Sequence, residues 1–389
     1  MSEAAILAEA IEKGSTFDEK LVTQHANWVQ SMSFSPTARS LLTGSNDGSV
    51  RVSDPRTGEN RLELRGDFGG QVYASLVTPT SDAVVVACGD GKIYVYDTET
   101  VKGPQKEVRL AARLRRTMEA HGSNAVLSLA ITKDGSTLVS GSVGRDIVKH
   151  DMKSGEELGR FVGHEGYVYS LAISRDNTLL ASGSGDETVR VWNMKECTCI
   201  HTLTEHIGWV WGVDFHPKRD ILASGSNDRT ICLWNPQTGE LLQKIETFEH
   251  VYCLQFAPIT GRFLLCGTSG EKPLRIYDME KNYAEYLINN TKQGGRVFAV
   301  AFAASESAFA AGSEDGNVVL YQPKMPSDSA STTRRSAAAA RPAAEPSPVE
   351  DAGAARAPST KRAGGRRSNF CSCFGGGGGG GGDGGSSRR

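Results

Sequence analysis

The sequence predicts an all-β fold built from seven copies of one four-stranded unit, and three observations predict it. The first is a repeat. The segment Ala181–Asn193 recurs as Ala223–Asn235 at an offset of 42, with serine, glycine, aspartate and tryptophan in the same places. The second is its register. The position six residues before the tryptophan is Asp47, Asp90, Gly144, Asp186, Asp228, Glu271 and Asp315 in successive copies. These are spaced by 42 to 44 residues, except for 54 between the second and third. The third is the pattern inside each copy. Apolar and polar residues alternate with period two, β-branched side chains are frequent, and turn residues punctuate the chain, which is the signature of strands and not helices.

Taken in order, Glu3–Lys13 reads as a short helix stopped by Gly14, with Ile6, Leu7, Ala10 and Ile11 on one side to pack against the body. Ser15–Thr23 reads as a strand that precedes the first complete unit. The fourth unit shows the internal grammar. A strand over Val168–Ile173 meets a polar turn at Ser174–Asn177. A second strand covers Leu179–Gly183, and a tight turn at Gly185-Asp186 leads to a third over Thr188–Trp192. A more polar fourth strand covers Cys199–Leu203. Asp47-Gly48, Asp90-Gly91 and Asp315-Gly316 are strong hairpin dipeptides, because such turns need positive φ. The extra residues between the second and third units include the basic run Lys106–Arg116, which suits a long outer strand or a short helix. It is a solvated edge or a second contact for an acidic partner. The seventh unit ends at its third strand near Gln322. The strand over Ser15–Thr23 is therefore expected to complete it and remove two open sheet edges. We place the boundaries at 1–14 for the helix, 15–322 for the repeat body and 323–389 for a disordered tail.

Composition narrows the function. Of 389 residues, 39% are hydrophobic, enough for a sizeable core, while eight cysteines are too few for a disulfide scaffold. No apolar run is long enough to span a bilayer, and the start lacks a secretory pattern. A cytoplasmic location is expected, with nuclear or membrane association through the tail as alternatives. The tail carries 11 Lys/Arg against 5 Asp/Glu, so the net charge of −2 divides into a body of −8 and a tail of +6. An acidic body disfavours specific nucleic-acid binding. Within the tail, Cys371 and Cys373, framed by phenylalanines just after Lys361, Arg362, Arg366 and Arg367, are candidate lipidation sites. Acyl chains beside a basic patch would give peripheral membrane contact. An inert low-complexity tail is the plainer reading.

A four-stranded repeat of 40–45 residues is the pattern of a β-propeller blade. The chain resembles the WD-repeat β-propellers over roughly residues 15–322. Two units carry the likeness most fully, with His164, Ser182, Asp186 and Trp192, then His206, Ser224, Asp228 and Trp234. The resemblance implies that each set forms a buried hydrogen-bonded tetrad. Elsewhere the pattern departs. Ser53, Tyr96, His150, Tyr277 and Tyr321 stand for tryptophan, Gly144 and Glu271 stand for aspartate, and the second, sixth and seventh units lack the spaced histidine. Those units are expected to lean on apolar packing.

The resemblance also implies which positions face the top surface around the channel, namely those flanking the leading valine of each first strand. Eight of these fourteen positions are aromatic, in a chain that is 7% aromatic. Trp28, Tyr73, Tyr167, Tyr169, Trp209, Trp211, Tyr252, Arg296 and Phe298 are therefore the expected partner-binding residues, since such side chains dominate binding hot spots. The bland alternative is that the rings are buried between blades. Histidines and aspartates that recur with the repeat are structural parts. Cys197-Thr198-Cys199 has no second pair to make a zinc site, so no catalytic residue, metal or cofactor is expected. The expected function is a non-catalytic scaffold for protein or peptide partners in a multiprotein complex. A substrate receptor of a cullin–RING ubiquitin ligase is the alternative, because Leu41–Arg56 resembles a degenerate adaptor-docking box. A membrane-tethered signalling scaffold is a further one.

Overall fold

The computed structural model describes residues 3–13, 17–66, 68–102, 108–288 and 292–324. Gly14, Ser15, Thr16 and the tail from residue 325 on, including Cys371 and Cys373, lie outside the described residues, whereas Pro323, expected to open the tail, ends a strand. The body is a seven-bladed β-propeller with one helix among the described residues.

Each blade is a four-stranded antiparallel sheet, and in blades 1 to 6 the strands are consecutive. Their inner strands are Val29–Phe34, Val72–Val77, Val126–Ile131, Val168–Ile173, Val210–Phe215 and Val251–Phe256. The inner strand of blade 7 is Val297–Phe302, and neighbouring inner strands touch around a closed circuit. Blade 7 takes its fourth strand from the N-terminus. Phe17–Gln24 runs antiparallel to Asn317–Pro323, pairing Phe17 with Pro323 and Gln24 with Asn317. Val22, buried on this strand, packs with Val29, Leu41, Val318 and Leu320 across the seam between blades 7 and 1.

Second and third strands are buried on both faces and read as near-continuous apolar runs, such as Ala83–Cys88. Outer strands are mostly exposed. Glycines on second strands let neighbouring blades close up. A Cβ on Gly183 would lie 2.8 Å from Val210 of the next blade, and one on Gly225 would lie 2.5 Å from Val251.

The seams also carry polar ties. Ser170 Oγ accepts the Val213 N–H at 3.1 Å, and Gln255 Oε1 accepts that of Phe302 at 2.7 Å. Asp214 Oδ2 accepts the N–H of Phe256 at 2.8 Å. Asp214 keeps some accessible surface, yet it sits deep in its seam. Burial, opposed by the N–H groups of Phe256 and Phe215, pushes its carboxyl up to about 7.

The helix Glu3–Glu12 buries Leu7, Ala10 and Ile11, and leaves Ile6 only half-buried. Leu7 and Ile11 join the core shared by blades 6 and 7 with Phe263, Phe302 and Phe309. Arg262 anchors it by pairing with both Glu12 and Asp278. From Val108 on, the basic insertion is strand. Val108–Met118 pairs with Ile93–Lys102 in a hairpin longer than that of any other blade. Arg115 pairs with Asp82 and Asp97. Among the described residues no helix is long and apolar enough to cross a membrane.

Candidate partner-binding face

The turns that bear the site are held by hydrogen-bond chains inside the blades. In blade 4, His164 Nδ1 lies 2.7 Å from Asp186 Oδ2 and Nε2 lies 2.6 Å from Ser182 Oγ. The Trp192 Nε1–H donates to the same hydroxyl at 2.8 Å. An ionised carboxylate only accepts, so Nδ1 donates to Asp186, and the Ser182 hydroxyl accepts from the indole while bonding Nε2. Blade 5 repeats this with 2.8 Å for His206–Asp228, His206–Ser224 and Trp234–Ser224. Burial works against the charge on Asp186 and Asp228. Hydrogen bonds from His164 and Thr188, and from His206 and Thr230, outweigh it and hold both carboxyls well below the usual range. Each carboxylate also accepts the N–H that opens the next loop, Glu165 at 2.9 Å and Ile207 at 3.1 Å. The chain thus fixes the tight turn to the loop facing it.

Three departures differ from the sequence expectation. In blade 3, with Gly144 at the aspartate position, Asp146 supplies the carboxylate two residues later, 3.2 Å from His121 Nδ1. His121 Nε2 still reaches Ser140 at 2.9 Å. Burial opposes the charge on Asp146, and His121, Ser142 and Arg160 outweigh it, lowering its carboxyl to about 2. In blade 6, Glu271 is exposed, and Glu249 on the facing loop accepts the Ser269 hydroxyl at 2.7 Å instead. In blade 7, Gln293 stands where histidine is missing and accepts the Tyr321 hydroxyl at 3.0 Å. A polar chain is therefore rebuilt in units that were expected to lean more on apolar packing. Blade 1 keeps His25 with Thr43 at 2.8 Å and has Asp47 at 3.4 Å. Burial drives the His25 imidazole down to about 4 despite Asp47. Ser53, in the tryptophan place, has a buried hydroxyl with no partner among the described residues.

On this frame the rings form an arc across five blades. Trp28 stacks on Phe298 at 5.1 Å, and Phe298 meets Tyr252 at 5.0 Å. Tyr252 meets Trp211 edge-on at 5.8 Å, and Trp211 stacks on Tyr169 at 4.2 Å. Tyr169 then contacts Trp209 at 5.9 Å and Tyr167 at 6.2 Å. Such pairs add about 0.5–1.5 kcal/mol beyond area burial, so the arc is stiff before anything binds. Gly185 makes room for it, since a Cβ there would lie 3.2 Å from the Tyr169 ring. Burial pushes the Tyr169 and Tyr252 hydroxyls up, so both stay neutral donors.

The expected residues do not all share one environment. Tyr252 and Phe298 are buried, at 6% and 8% exposure, and form the floor, whereas Trp209 is 37% exposed. Tyr73 lies in blade 2, where its hydroxyl donates to Gln71. Arg296 pairs with Glu314 at 3.8 Å. The most exposed apolar side chains were missing from the expectation. Val162, Ile207 and Phe248, 75%, 81% and 76% exposed, lie on the loops entering blades 4, 5 and 6, a few residues ahead of the ring-bearing positions in the chain. No repeat position singles them out, and only burial reveals them. Away from this face, Cys197 packs towards Gly159 and Cys199 lies 3.9 Å from Arg190.

Comparison with known proteins agrees with the geometry. Residues 125–325, just over half the chain, match the family model described as the IFT122 first beta-propeller. Residues 18–54 match the WD domain, G-beta repeat. Coronin-7 of Homo sapiens is 31% identical over 101 residues, which is 26% of this chain and 11% of coronin-7. The U3 snoRNP-associated protein-like YAOH of Oryza sativa subsp. japonica is 33% identical over 102 residues, 25% of this chain and 20% of that protein. The alignments thus span a small part of these relatives. Seven four-stranded blades, repeated His–Ser–Asp–Trp chains and the family matches together place this chain in the WD-repeat β-propeller family.

Proposed function

We propose that the protein is a non-catalytic scaffold that holds a partner protein or peptide on the top face of the propeller. The observation that supports this best is the ring arc from Trp28 to Trp209, together with the exposed apolar side chains Val162, Ile207 and Phe248 on the loops that enter the same blades. Exposed apolar patches with aromatics mark interaction sites, and a preassembled face loses little conformational freedom on binding. Trp209 and Trp211 would be its anchors. The cytoplasmic location and membership of a multiprotein complex remain parts of this reading.

The test is affinity purification with mass spectrometry, comparing wild type with a folded Trp209→Ala/Trp211→Ala variant. Partners lost from the variant, with affinity down about 30-fold or more, are the expected result. An unchanged partner set would sink the assignment.

A further inference from the structure

Four exposed side chains on blades 3 to 6 stand on left-handed backbone. Arg145, Glu187 and Arg229 have φ of 72°, 70° and 69° at the same place in the tight turn of blades 3, 4 and 5. Phe248, at φ 60°, follows on the loop into blade 6. In blades 1, 2 and 7 that turn position is Gly48, Gly91 and Gly316, with φ of 74°, 81° and 82°. The turn demands positive φ, which glycine meets without steric conflict and an L side chain does not. Three neighbouring blades nevertheless keep a long charged residue there. All three are exposed, and none makes a side-chain hydrogen bond or ion pair with another described residue. Left-handed side chains also occur at other turns, such as Ala38, Ser81 and Glu306, so the backbone alone marks no site; these three are set apart by exposed charge left available to a ligand.

Their placement ties them to the binding face. The Gly185 N–H, in the turn of Glu187, donates to the Tyr167 carbonyl at 2.9 Å. The Asn227 N–H, in the turn of Arg229, donates to that of Trp209 at 3.1 Å. The Thr247 N–H donates to the Arg229 carbonyl at 2.9 Å, which sets Phe248 beside that turn. Around the face the exposed side chains of these turns therefore alternate in charge, positive at blade 3, negative at blade 4 and positive at blade 5, beside the more buried carboxylates of Asp146, Asp186 and Asp228. Exposed Glu165, whose N–H is held by Asp186, strengthens the negative centre next to Tyr167 and Tyr169.

We infer that blades 3 to 5 select the partner by charge order. The ligand is a peptide segment reading acid, base, acid, with the base over the Tyr167 and Tyr169 rings and an apolar side chain against Ile207, Trp209 and Phe248. A cation over aromatic faces flanked by carboxylates is favourable, and charge order fixes register more than it adds affinity. This rests on the top-face reading.

A displayed library of short random peptides tests it. Selection uses the full chain and, separately, an Arg145→Glu/Glu187→Lys/Arg229→Glu variant. The expected result is an acid–base–acid consensus for wild type and its inverse for the variant. An Arg145→Gly/Glu187→Gly/Arg229→Gly variant should melt at or above the wild-type temperature, yet bind the selected peptides about ten-fold more weakly. Its binding should also depend less on salt. One consensus from both selections overturns the charge reading. It leaves the face itself standing if Trp209→Ala/Trp211→Ala abolishes the peptides, whereas peptides retained by that ring variant sink the face as well. No enrichment on wild type overturns both.

Discussion

At the residue scale, the tetrads convert polar atoms into scaffold. Trp192 is fully buried, so Trp192→Phe removes one hydrogen bond to Ser182 and leaves a small void. The expected loss is about 1–3 kcal/mol, read by urea denaturation, and an unchanged midpoint would refute the role of the indole N–H. Two kinds of carboxylate give opposite pH dependences. Asp186 and Asp228 are held low, so their stabilisation is present above the unfolded value near ~4 and lost as pH falls. Asp214 is raised to about 7, so it ionises earlier in the unfolded chain, and its seam weakens as pH climbs from ~4 to 7. Asp214→Asn keeps an acceptor for the Phe256 N–H. It should match wild type near pH 4 and melt at a higher temperature at pH 8; a gap that does not widen with pH would contradict this. The sequence made His164, Asp186 and Trp192 legible because the repeat fixes their places. Asp146 and Gln293 were not legible, since a hydrogen bond asks only that an atom reach, and a carboxylate two residues on reaches His121 equally well.

At the scale of elements, the repeat predicted the blade strands closely, because each carries its own alternation and turn. The insertion stayed ambiguous for a physical reason. Leu110, Ala112 and Leu114 fit period two, while Leu110 and Leu114 alone fit a helical turn. Pairing with the extended strand Ile93–Lys102 decides it, and that neighbour is a tertiary fact. The N-terminal strand is the element on which closure depends. Without residues 1–24, Asn317–Pro323 would show an open edge and the Val22 site would empty. Size-exclusion chromatography should then find oligomers or aggregates. A monomer that still melts at the wild-type temperature would show that closure contributes little.

At the scale of the whole molecule, the ring makes seven blades of uneven polar quality act as one support. Blades 4 and 5 hold full tetrads and also carry Tyr167, Tyr169, Trp209 and Trp211, so the most complete hydrogen-bond chains lie under the densest rings. Closure has a further consequence during synthesis. The strand Phe17–Gln24 leaves the ribosome ahead of the seven inner strands, while its partner near residue 320 follows about 300 residues later. At about 5–20 residues per second the wait is roughly 15–60 seconds. Throughout it the future sealing strand must stay unpaired and soluble. Its sequence suits that delay: Asp18, Glu19 and Lys20 break any long apolar stretch, and Val22 is its single fully buried side chain. The nascent chain thus carries its own safeguard against joining the wrong sheet before the right one exists.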